Sequence, residues 1–174
     1  VARGGSFRLR SADARGAQVP LLGLLESNNP VVRERALTAV GPLLDARAAD
    51  ALIQLLGDDV ERVRTQAAAH LGALRVRAAV PHLLRLLDER PSPLLRENVL
   101  FALGQTGDPR ATPRLLQLLL DSDPNVQSYA ADALATLQDP ASEGPLLRLA
   151  QGAPGQRVRR TERGAALGAL GGVR

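Results

Sequence analysis

A leucine motif recurs along this chain at a nearly constant step. Two apolar pairs separated by one residue start 31 or 32 residues apart, at Leu21, Leu52, Leu83, Leu115 and Leu146. A second signal keeps the same step, an apolar residue followed by Arg or Gln, at Val32, Val63, Leu95, Val126 and Val158. Two signals that stay in phase over five copies indicate one structural unit repeated in tandem.

Each copy has the apolar spacing of two helices. The leucine motif places side chains at i, i+1, i+3 and i+4, and the second segment repeats apolar residues at i, i+4 and i+8, so each segment has one apolar helical face. The pairs Asn29-Pro30, Ser92-Pro93 and Asp123-Pro124 put a capping side chain before a proline at the first helical position of the second helix. A two-helix hairpin of this size cannot bury its leucines alone, so neighbouring copies must cover it and build a solenoid.

The composition removes several kinds of functional site. The 174 residues include one Tyr, two Phe and no Trp, Met or Cys, so Leu, Ala and Val must fill the interior. Without cysteine there is no disulfide, thiolate metal site or cysteine nucleophile, and the two His make histidine metal chemistry sparse. The sequence also has no glycine-rich phosphate loop and no Gly-x-Ser-x-Gly elbow. We therefore expect no cofactor, no metal site and no catalytic residue.

The positive net charge is concentrated at the two ends of the chain. The whole sequence carries +4, with +3 in residues 1–16, −3 in residues 17–142 and +4 in residues 143–174. A surface that follows a phosphate backbone needs a continuous run of cations, and the central repeats have the opposite balance. We therefore do not expect nucleic acid as the partner.

Two stretches of the sequence resemble a known family. Residues 112–126 and residues 63–72 are similar to the short bacterial HEAT-like repeat, the type often named after phycobilisome lyases. The resemblance implies a right-handed α-α superhelix whose second helices line the concave side. Members of this family include protein-binding scaffolds, bilin lyase subunits, deoxyhypusine hydroxylase and DNA glycosylases. Neither His70 nor His82 is followed by Glu, which excludes the paired His-Glu motifs of the hydroxylase.

The spacing, together with the HEAT-like resemblance, predicts the organisation of the whole chain. Residues 1–16 form an N-terminal arm or partial repeat, and residues 17–174 form an all-α HEAT-like solenoid of about five two-helix repeats. The predicted repeats are residues 17–48, 49–78, 79–111, 112–142 and 143–174. The fifth copy departs from the pattern, because Glu162, Arg163 and Gly164 replace apolar and small residues. This departure either places the second helix of the degenerate copy in doubt or makes the copy a polar terminal cap.

The second helices supply the candidate binding surface. Counting the apolar residue of the Val-Arg pair as position one, positions one, five, eight and nine face the stack, and positions three, four, seven and eleven point outward. The two aromatic residues of the repeats, Phe101 and Tyr129, both fall at outward positions, where they are either partner anchors or fillers against an adjacent helix. The residues predicted to bind a partner are Phe101, Tyr129, Asn98, Gln105, Asp132, Gln66 and Arg35.

A separate set of arginines has a structural interpretation. Position two holds Arg33, Arg64, Arg96 and Arg159, with Gln127 in the fourth copy. The guanidinium group suits carboxylates and carbonyls, so we expect a ladder of contacts between repeats that uses turn acids such as Asp58, Asp88 and Asp121. Gln127 keeps the hydrogen bonds and loses the charge.

These observations favour a non-catalytic scaffold that binds another protein or peptide on its concave surface. One alternative is a bilin-lyase-type subunit that holds a tetrapyrrole in the same groove, and a second is a nucleic-acid-binding HEAT-like protein. The all-arginine basic content is typical of a GC-rich, bacterial genome, and no apolar run is long enough to cross a bilayer. We expect the protein to be cytoplasmic.

Overall fold

A computed structural model describes residues 22–40, 46–151 and 160–172. Within these residues the structure is helical and contains no strand. Residues 22–24 are helical, and the α-helices that follow are α1 (Pro30–Val40), α2 (Ala49–Leu55), α3 (Glu61–Ala73), α4 (Val80–Asp88), α5 (Pro93–Gln105), α6 (Thr112–Leu118), α7 (Pro124–Leu137), α8 (Glu143–Gln151) and α9 (Arg160–Gly172). The predicted all-α solenoid is confirmed. The predicted arm, residues 1–16, lies outside the described residues.

The second helices begin at the predicted proline positions. Helices α1, α5 and α7 start at Pro30, Pro93 and Pro124. The side chain of Ser92 accepts a hydrogen bond from the Leu95 amide at 3.3 Å, which caps α5. A proline at this position loses no needed donor, because the first amides of a helix have no partner within the helix.

The helices form two layers that are spaced differently. Consecutive second helices, α1, α3, α5, α7 and α9, contact one another directly, and each of α3, α5, α7 and α9 also packs on the first helix of its own copy, α2, α4, α6 or α8. Consecutive first helices contact each other much less. The stack is therefore tighter on the second-helix side, which places that surface on the inside of the curve.

Small residues allow the close approach of the second helices. A Cβ atom added at Gly104 of α5 would lie 2.8 Å from the Cα of Ala133 of α7, and one added at Gly72 of α3 would lie 2.7 Å from the Cα of Ala102 of α5. No side chain fits at either distance, so glycine at position ten sets the separation between neighbouring helices.

The core consists of leucine, alanine and valine, as the composition predicts. Positions one, five and nine of α3, α5 and α7 are buried. The structure adds position six, which the sequence pattern missed: Leu37, Ala68, Leu100 and Ala131 are all buried. The buried stripe of the second helix is therefore wider than an i, i+4, i+8 pattern predicts.

The fifth copy keeps both of its helices. The doubt about its second helix was wrong, because α9 extends from Arg160 to Gly172 and packs on both α7 and α8. Glu162 stands at position five and is buried there. The function of this copy as a terminal cap stays a prediction.

Candidate partner-binding surface

The outward positions of the second helices are accessible, as their periodicity predicts. Arg35, Phe101 and Asp132 are exposed, and Gln66, Asn98, Gln105 and Tyr129 are half-buried. Phe101 is 47% exposed, a large value for a phenylalanine in a folded chain. The surface therefore presents one aromatic side chain to solvent without any backbone rearrangement.

Phe101 and Tyr129 lie together in one cavity between α5 and α7. The cavity has a volume of about 210 Å³ and is lined by Glu97, Phe101, Tyr129, Asp132, Ala133 and Thr136. Phe101 comes from position seven of the third copy, and Tyr129 comes from position four of the fourth. Helix α7 packs directly on α5, and this contact brings the two outward positions to the two sides of one groove. We call this cavity the aromatic pocket.

The two aromatic rings have different surroundings. Tyr129 packs against the hydrophobic core, whereas Phe101 lies over Gly72 of α3, with its ring edge 3.3 Å from the point where a glycine Cβ would stand. Tyr129 is therefore held by the core, and Phe101 provides the exposed apolar surface of the pocket.

The electrostatic environment of the aromatic pocket is negative. The charge of Glu97 raises the pKa of Tyr129 above its ordinary value, with further contributions from burial, from a side-chain hydrogen bond to Glu97 and from the charge of Asp123. Asp132 of α7 also lines the pocket. Its backbone carbonyl accepts a hydrogen bond from Thr136 Oγ1 at 2.8 Å. None of the six lining residues is basic.

A second cavity adjoins the aromatic pocket along α5. It has a volume of about 350 Å³, and its lining includes Leu94 and Asn125 together with Glu97 and Tyr129, which both cavities share. Leu94 is 60% exposed. The predicted binding residues do not include Leu94, although its i, i+7 spacing from Phe101 places both on one face of α5.

The remaining predicted binding residues lie at other points of the surface. Gln66 donates a hydrogen bond to Thr38 Oγ1 at 3.2 Å, between the first two copies, and Asn98 donates to the Leu94 carbonyl at 2.9 Å. Arg35, Asn98 and Gln105 do not line the aromatic pocket. The structure thus brings together Phe101, Tyr129 and Asp132 from the predicted set and adds Glu97 and Thr136.

Arg33 contacts the next repeat. Its Nε lies 2.6 Å from Asp58 Oδ2, and a second nitrogen lies 2.6 Å from Asp59 Oδ1. Burial disfavours the charged form of Asp58, but hydrogen bonds from Arg33 and from the Val60 amide outweigh it, and the pKa of Asp58 lies below its ordinary value. This pair joins the first two copies on the edge where the turns lie.

The other position-two side chains mainly bond to carbonyls. Arg64 donates to the Asp58 carbonyl at 2.6 Å, Arg96 to the Pro91 carbonyl at 3.4 Å and Gln127 to the Asp121 carbonyl at 2.6 Å. Arg33 makes the same bond, to the Ser27 carbonyl at 2.8 Å. The repeated contact therefore closes the turn within each of the first four copies.

Two of the turn acids named from the sequence do not pair with a position-two arginine. Asp88 pairs with Arg114 of α6 at 2.8 Å, and Asp121 accepts from Gln127 through its carbonyl rather than its carboxylate. Arg96 reaches Asp123 of the next copy only at 3.9 Å. Arg159 lies outside the described residues. The expectation of ion pairs with Asp88 and Asp121 was wrong, because Arg114 pairs with Asp88 and Arg64, Arg96 and Gln127 bond to carbonyls of their own turns.

The surroundings of His70 are those of a structural residue. It occupies position eight, and burial lowers its pKa, an effect that a hydrogen bond with the Leu37 backbone opposes. Among the residues that the structure describes, no group of three or more His, Asp or Glu side chains is arranged to hold a metal ion. None of the described helices has both the length and the apolar character required to cross a membrane.

Two curated relatives match parts of the chain. Both are named bilin biosynthesis protein PecE. The protein from Mastigocladus laminosus is 40% identical over 95 residues, which are 51% of this chain and 35% of the relative. The protein from Nostoc sp. PCC 7120 is 42% identical over 76 residues, which are 44% of this chain and 30% of the relative. The matched part thus spans about a third of each relative's length.

A solved structure matches almost the whole chain. It is the complex of CpcE and CpcF of phycocyanin lyase from Nostoc sp. PCC7120, with a TM-score of 0.65 and 25% sequence identity, over 99% of this chain and 80% of that one. A family model for HEAT repeats matches residues 18–100 and 80–170. Both matches agree with the stacked pairs of helices and with the 31- or 32-residue step of the leucine motif. The chain belongs to the HEAT repeat family.

Proposed function

We propose that this chain is the HEAT-repeat body of a bilin-lyase-type subunit and that it binds another protein through its second-helix surface. The observation that carries the proposal is the aromatic pocket, where Phe101 is 47% exposed on a rigid stack of helices. Aromatic side chains in partly enclosed sites are the residues that most often dominate protein–protein binding energy. The bilin-lyase-type subunit, which the sequence analysis gave as an alternative, is part of this proposal.

The comparisons support the lyase-type half of this proposal. The PecE proteins are named for bilin biosynthesis, and the structure that matches 99% of the chain is a complex of two lyase proteins, CpcE and CpcF. A subunit that works as part of a pair needs a surface for its partner. The second-helix surface supports this use because its exposed side chains are polar, aromatic and mixed in charge.

Rigidity is the physical basis of the proposed binding. The second helices are held by fully buried leucines, such as Leu71, Leu103 and Leu134, and by the close glycine contacts. The groove is therefore present before the partner arrives. Association then has a small ordering cost, because neither the helices nor the core-packed ring of Tyr129 must be immobilised.

The experiment measures complex formation with a lyase partner. The purified chain is mixed with purified CpcF of Nostoc sp. PCC7120 and examined by analytical size-exclusion chromatography at roughly micromolar concentration. We expect a complex with the wild type and its loss in the Phe101→Ala/Tyr129→Ala double variant. Circular dichroism establishes that the variant is folded. The absence of any complex, or a complex that the double variant leaves unchanged, would overturn the proposal.

Direct tetrapyrrole binding is a second candidate, favoured by the names of the relatives. The aromatic pocket alone has a volume of about 210 Å³, but the adjoining cavity of about 350 Å³ brings the groove into the range of roughly 300–1,000 Å³ that encloses drug-sized ligands. The charge of the groove, and not its volume, therefore separates the two candidates. The propionate groups of a bilin would meet the carboxylates of Glu97 and Asp132. Absorbance spectra recorded during addition of phycocyanobilin test this point, and a spectral change that saturates at one equivalent would favour the second candidate.

The nucleic-acid alternative makes a different prediction. Binding to phosphates falls steeply as salt rises from about 50 to about 200 mM. The aromatic pocket presents two carboxylates and no basic side chain, and we expect no measurable affinity for duplex DNA at this surface. Electrophoretic mobility assays at both salt concentrations check the expectation.

A further inference from the structure

The aromatic pocket carries unbalanced negative charge. Glu97 and Asp132 stand at outward positions of α5 and α7 and are both exposed. Each of the two lines the cavity that contains Phe101 and Tyr129. The field at the pocket is strong enough to raise the pKa of the Tyr129 phenol, with the charge of Glu97 as its largest cause.

Several acids at the contacts between and within repeats are neutralised by arginine. Asp58 pairs with Arg33, Asp88 with Arg114 and Asp108 with Arg110, all at 2.8 Å or less. Neither Glu97 nor Asp132 forms an ion pair with any residue in the described ranges. Glu97 accepts a side-chain hydrogen bond from Tyr129, but no cation of the described residues neutralises either carboxylate.

The combination of rings and carboxylates selects a cation. The face of an aromatic ring attracts a positive charge, and two carboxylates on opposite sides of a groove add charge-assisted hydrogen bonds. A guanidinium group satisfies both requirements, because it is planar, stacks on rings and presents several donors in a fixed geometry. A cavity of about 210 Å³ has room for one such side chain.

The adjoining cavity continues the groove. Its apolar side chains, Pro93, Leu94 and Val126, are bordered by the basic Arg96 and by the acidic Glu97 and Asp123. Leu94 is 60% exposed there, and Tyr129 and Glu97 belong to both cavities. An extended segment that fills the aromatic pocket with one residue therefore has an apolar surface for a neighbouring residue. This continuity favours a peptide segment over a free cation.

We propose that the aromatic pocket receives an arginine side chain from an extended basic segment of the protein partner. The guanidinium group lies against Phe101 and Tyr129 and pairs with Glu97 and Asp132. The inference rests on the proposed function, because it names the chemistry of the partner that the same surface binds.

The direct test uses short synthetic peptides as probes. A fluorescein-labelled Gly–Ser peptide with one leucine and one arginine is titrated with the protein and followed by fluorescence anisotropy. Its matched control replaces arginine by citrulline, which keeps the shape and removes the charge. We expect the citrulline peptide to bind at least about tenfold more weakly than the arginine peptide. A lysine peptide should have an intermediate affinity.

Paired variants separate the pocket from general charge attraction. Glu97→Gln/Asp132→Asn removes the two pocket carboxylates, and Glu26→Gln/Glu143→Gln removes two exposed acids elsewhere, with the same change in net charge. We expect the first variant to weaken the arginine peptide about tenfold and the second to leave its affinity within about twofold. Equal losses in both variants would overturn the inference.

The single tyrosine of the 174 residues provides a second readout. A cation bound beside Tyr129 offsets the charge of Glu97 and lowers the raised pKa of the phenol. Ultraviolet titration of tyrosinate, with and without saturating arginine peptide, measures this shift. An unchanged titration curve in the presence of bound peptide would place the peptide elsewhere and overturn the inference.

The failure of this inference is distinguishable from the failure of the proposed function. If CpcF binding is lost in Phe101→Ala/Tyr129→Ala but unchanged in Glu97→Gln/Asp132→Asn, the partner surface stands and the arginine assignment is wrong. If the citrulline peptide binds as tightly as the arginine peptide, the pocket is purely apolar and the assignment is again wrong. If the arginine peptide binds and CpcF does not, the proposed function fails and the preference of the pocket stands.

Discussion

The contact between α5 and α7 and the contact between α3 and α5 share one backbone design. In each, the position-ten glycine lies against the position-eight alanine of the next helix, Gly104 against Ala133 and Gly72 against Ala102. The residues at positions one, five, six and nine are buried in both. The two contacts are therefore equivalent in the features that hold the stack together.

Their outward side chains differ completely. The places that Phe101 and Tyr129 occupy between α5 and α7 are held by Ala69 and Asn98 between α3 and α5. Asn98 donates a hydrogen bond to the Leu94 carbonyl of its own helix. Neither Ala69 nor Asn98 supplies an aromatic ring. The comparison teaches that the buried positions build a repeated scaffold and that positions three, four and seven give one part of it an aromatic pocket, the proposed binding site.

The largest expected effect tests the equivalence of the two contacts. Leu71 and Leu103 are fully buried at position nine of α3 and α5. We expect Leu71→Ala and Leu103→Ala each to reduce the free energy of unfolding by about 2–5 kcal/mol, because each leaves a cavity. Urea denaturation measures both values. A loss below about 1 kcal/mol at one position only would show that the two contacts are not equivalent in the core.

The next effect tests the glycine contacts. A Cβ at position 104 would lie within 3.0 Å of the Ala133 backbone, whereas one at Gly168 of α9 meets nothing within 4 Å. We expect Gly104→Ala to destabilise the protein by about 1–3 kcal/mol through overpacking. The same substitution at Gly168 should stabilise it by about 0.5–1 kcal/mol through helix propensity. Equal and favourable effects at both positions would contradict the close approach of α5 and α7.

A smaller effect distinguishes the ion pair between the first two copies from the ion pair between the third and fourth copies. Arg33 holds Asp58 at 2.6 Å, whereas Arg96 stands 3.9 Å from Asp123. The pKa of Asp58 is lowered, since hydrogen bonds from Arg33 and the Val60 amide outweigh burial. Its contribution to stability is therefore present above the unfolded pKa of about 3.9 and is lost as the pH falls through the lower folded pKa.

Substitution by asparagine measures this contribution because it preserves the backbone caps. We expect Asp58→Asn to lower the melting temperature at pH 7 and the difference from the wild type to shrink as the pH falls below about 4. Asp123→Asn serves as the control and should change the melting temperature less. If Asp123→Asn lowers the melting temperature more than Asp58→Asn, the arginine–aspartate distances do not reflect the strengths of the two ion pairs.

The smallest effect concerns the aromatic pocket alone. The charge of Glu97 raises the pKa of Tyr129, so we expect Glu97→Gln to lower that pKa. Glu143→Gln, at an exposed site on α8, should leave it unchanged. Ultraviolet titration resolves the change because the chain has one tyrosine. The same pKa in wild type and Glu97→Gln would remove the evidence for a negative field at the pocket.

The sequence predicted most of what is local. The i, i+3 and i+4 spacing of leucines identifies a helix without reference to any other part of the chain, and Ser92-Pro93 marks the start of α5 through a bond within one turn. The outward placement of Phe101 and Tyr129 also follows from the helical period. These features depend on residues that are neighbours in the sequence.

The parts that sequence reasoning missed depend on how two helices are offset. Leu94 of α5 and Tyr129 of α7 line one cavity because the two helices pack on each other. Gln127 bonds the Asp121 carbonyl rather than a carboxylate of another copy because its own turn is closer. No periodicity within a single helix contains these distances.

The sequence by itself determined that this chain is a stack of helical pairs, because leucines at a step of 31 or 32 residues cannot be buried within one pair. Only the tertiary structure decided that Glu97, Phe101, Tyr129 and Asp132 surround one cavity. The reason is that burial of a repeated apolar face needs only the helical period, whereas a pocket needs the relative position of side chains from different helices, which the packing of glycine against alanine sets.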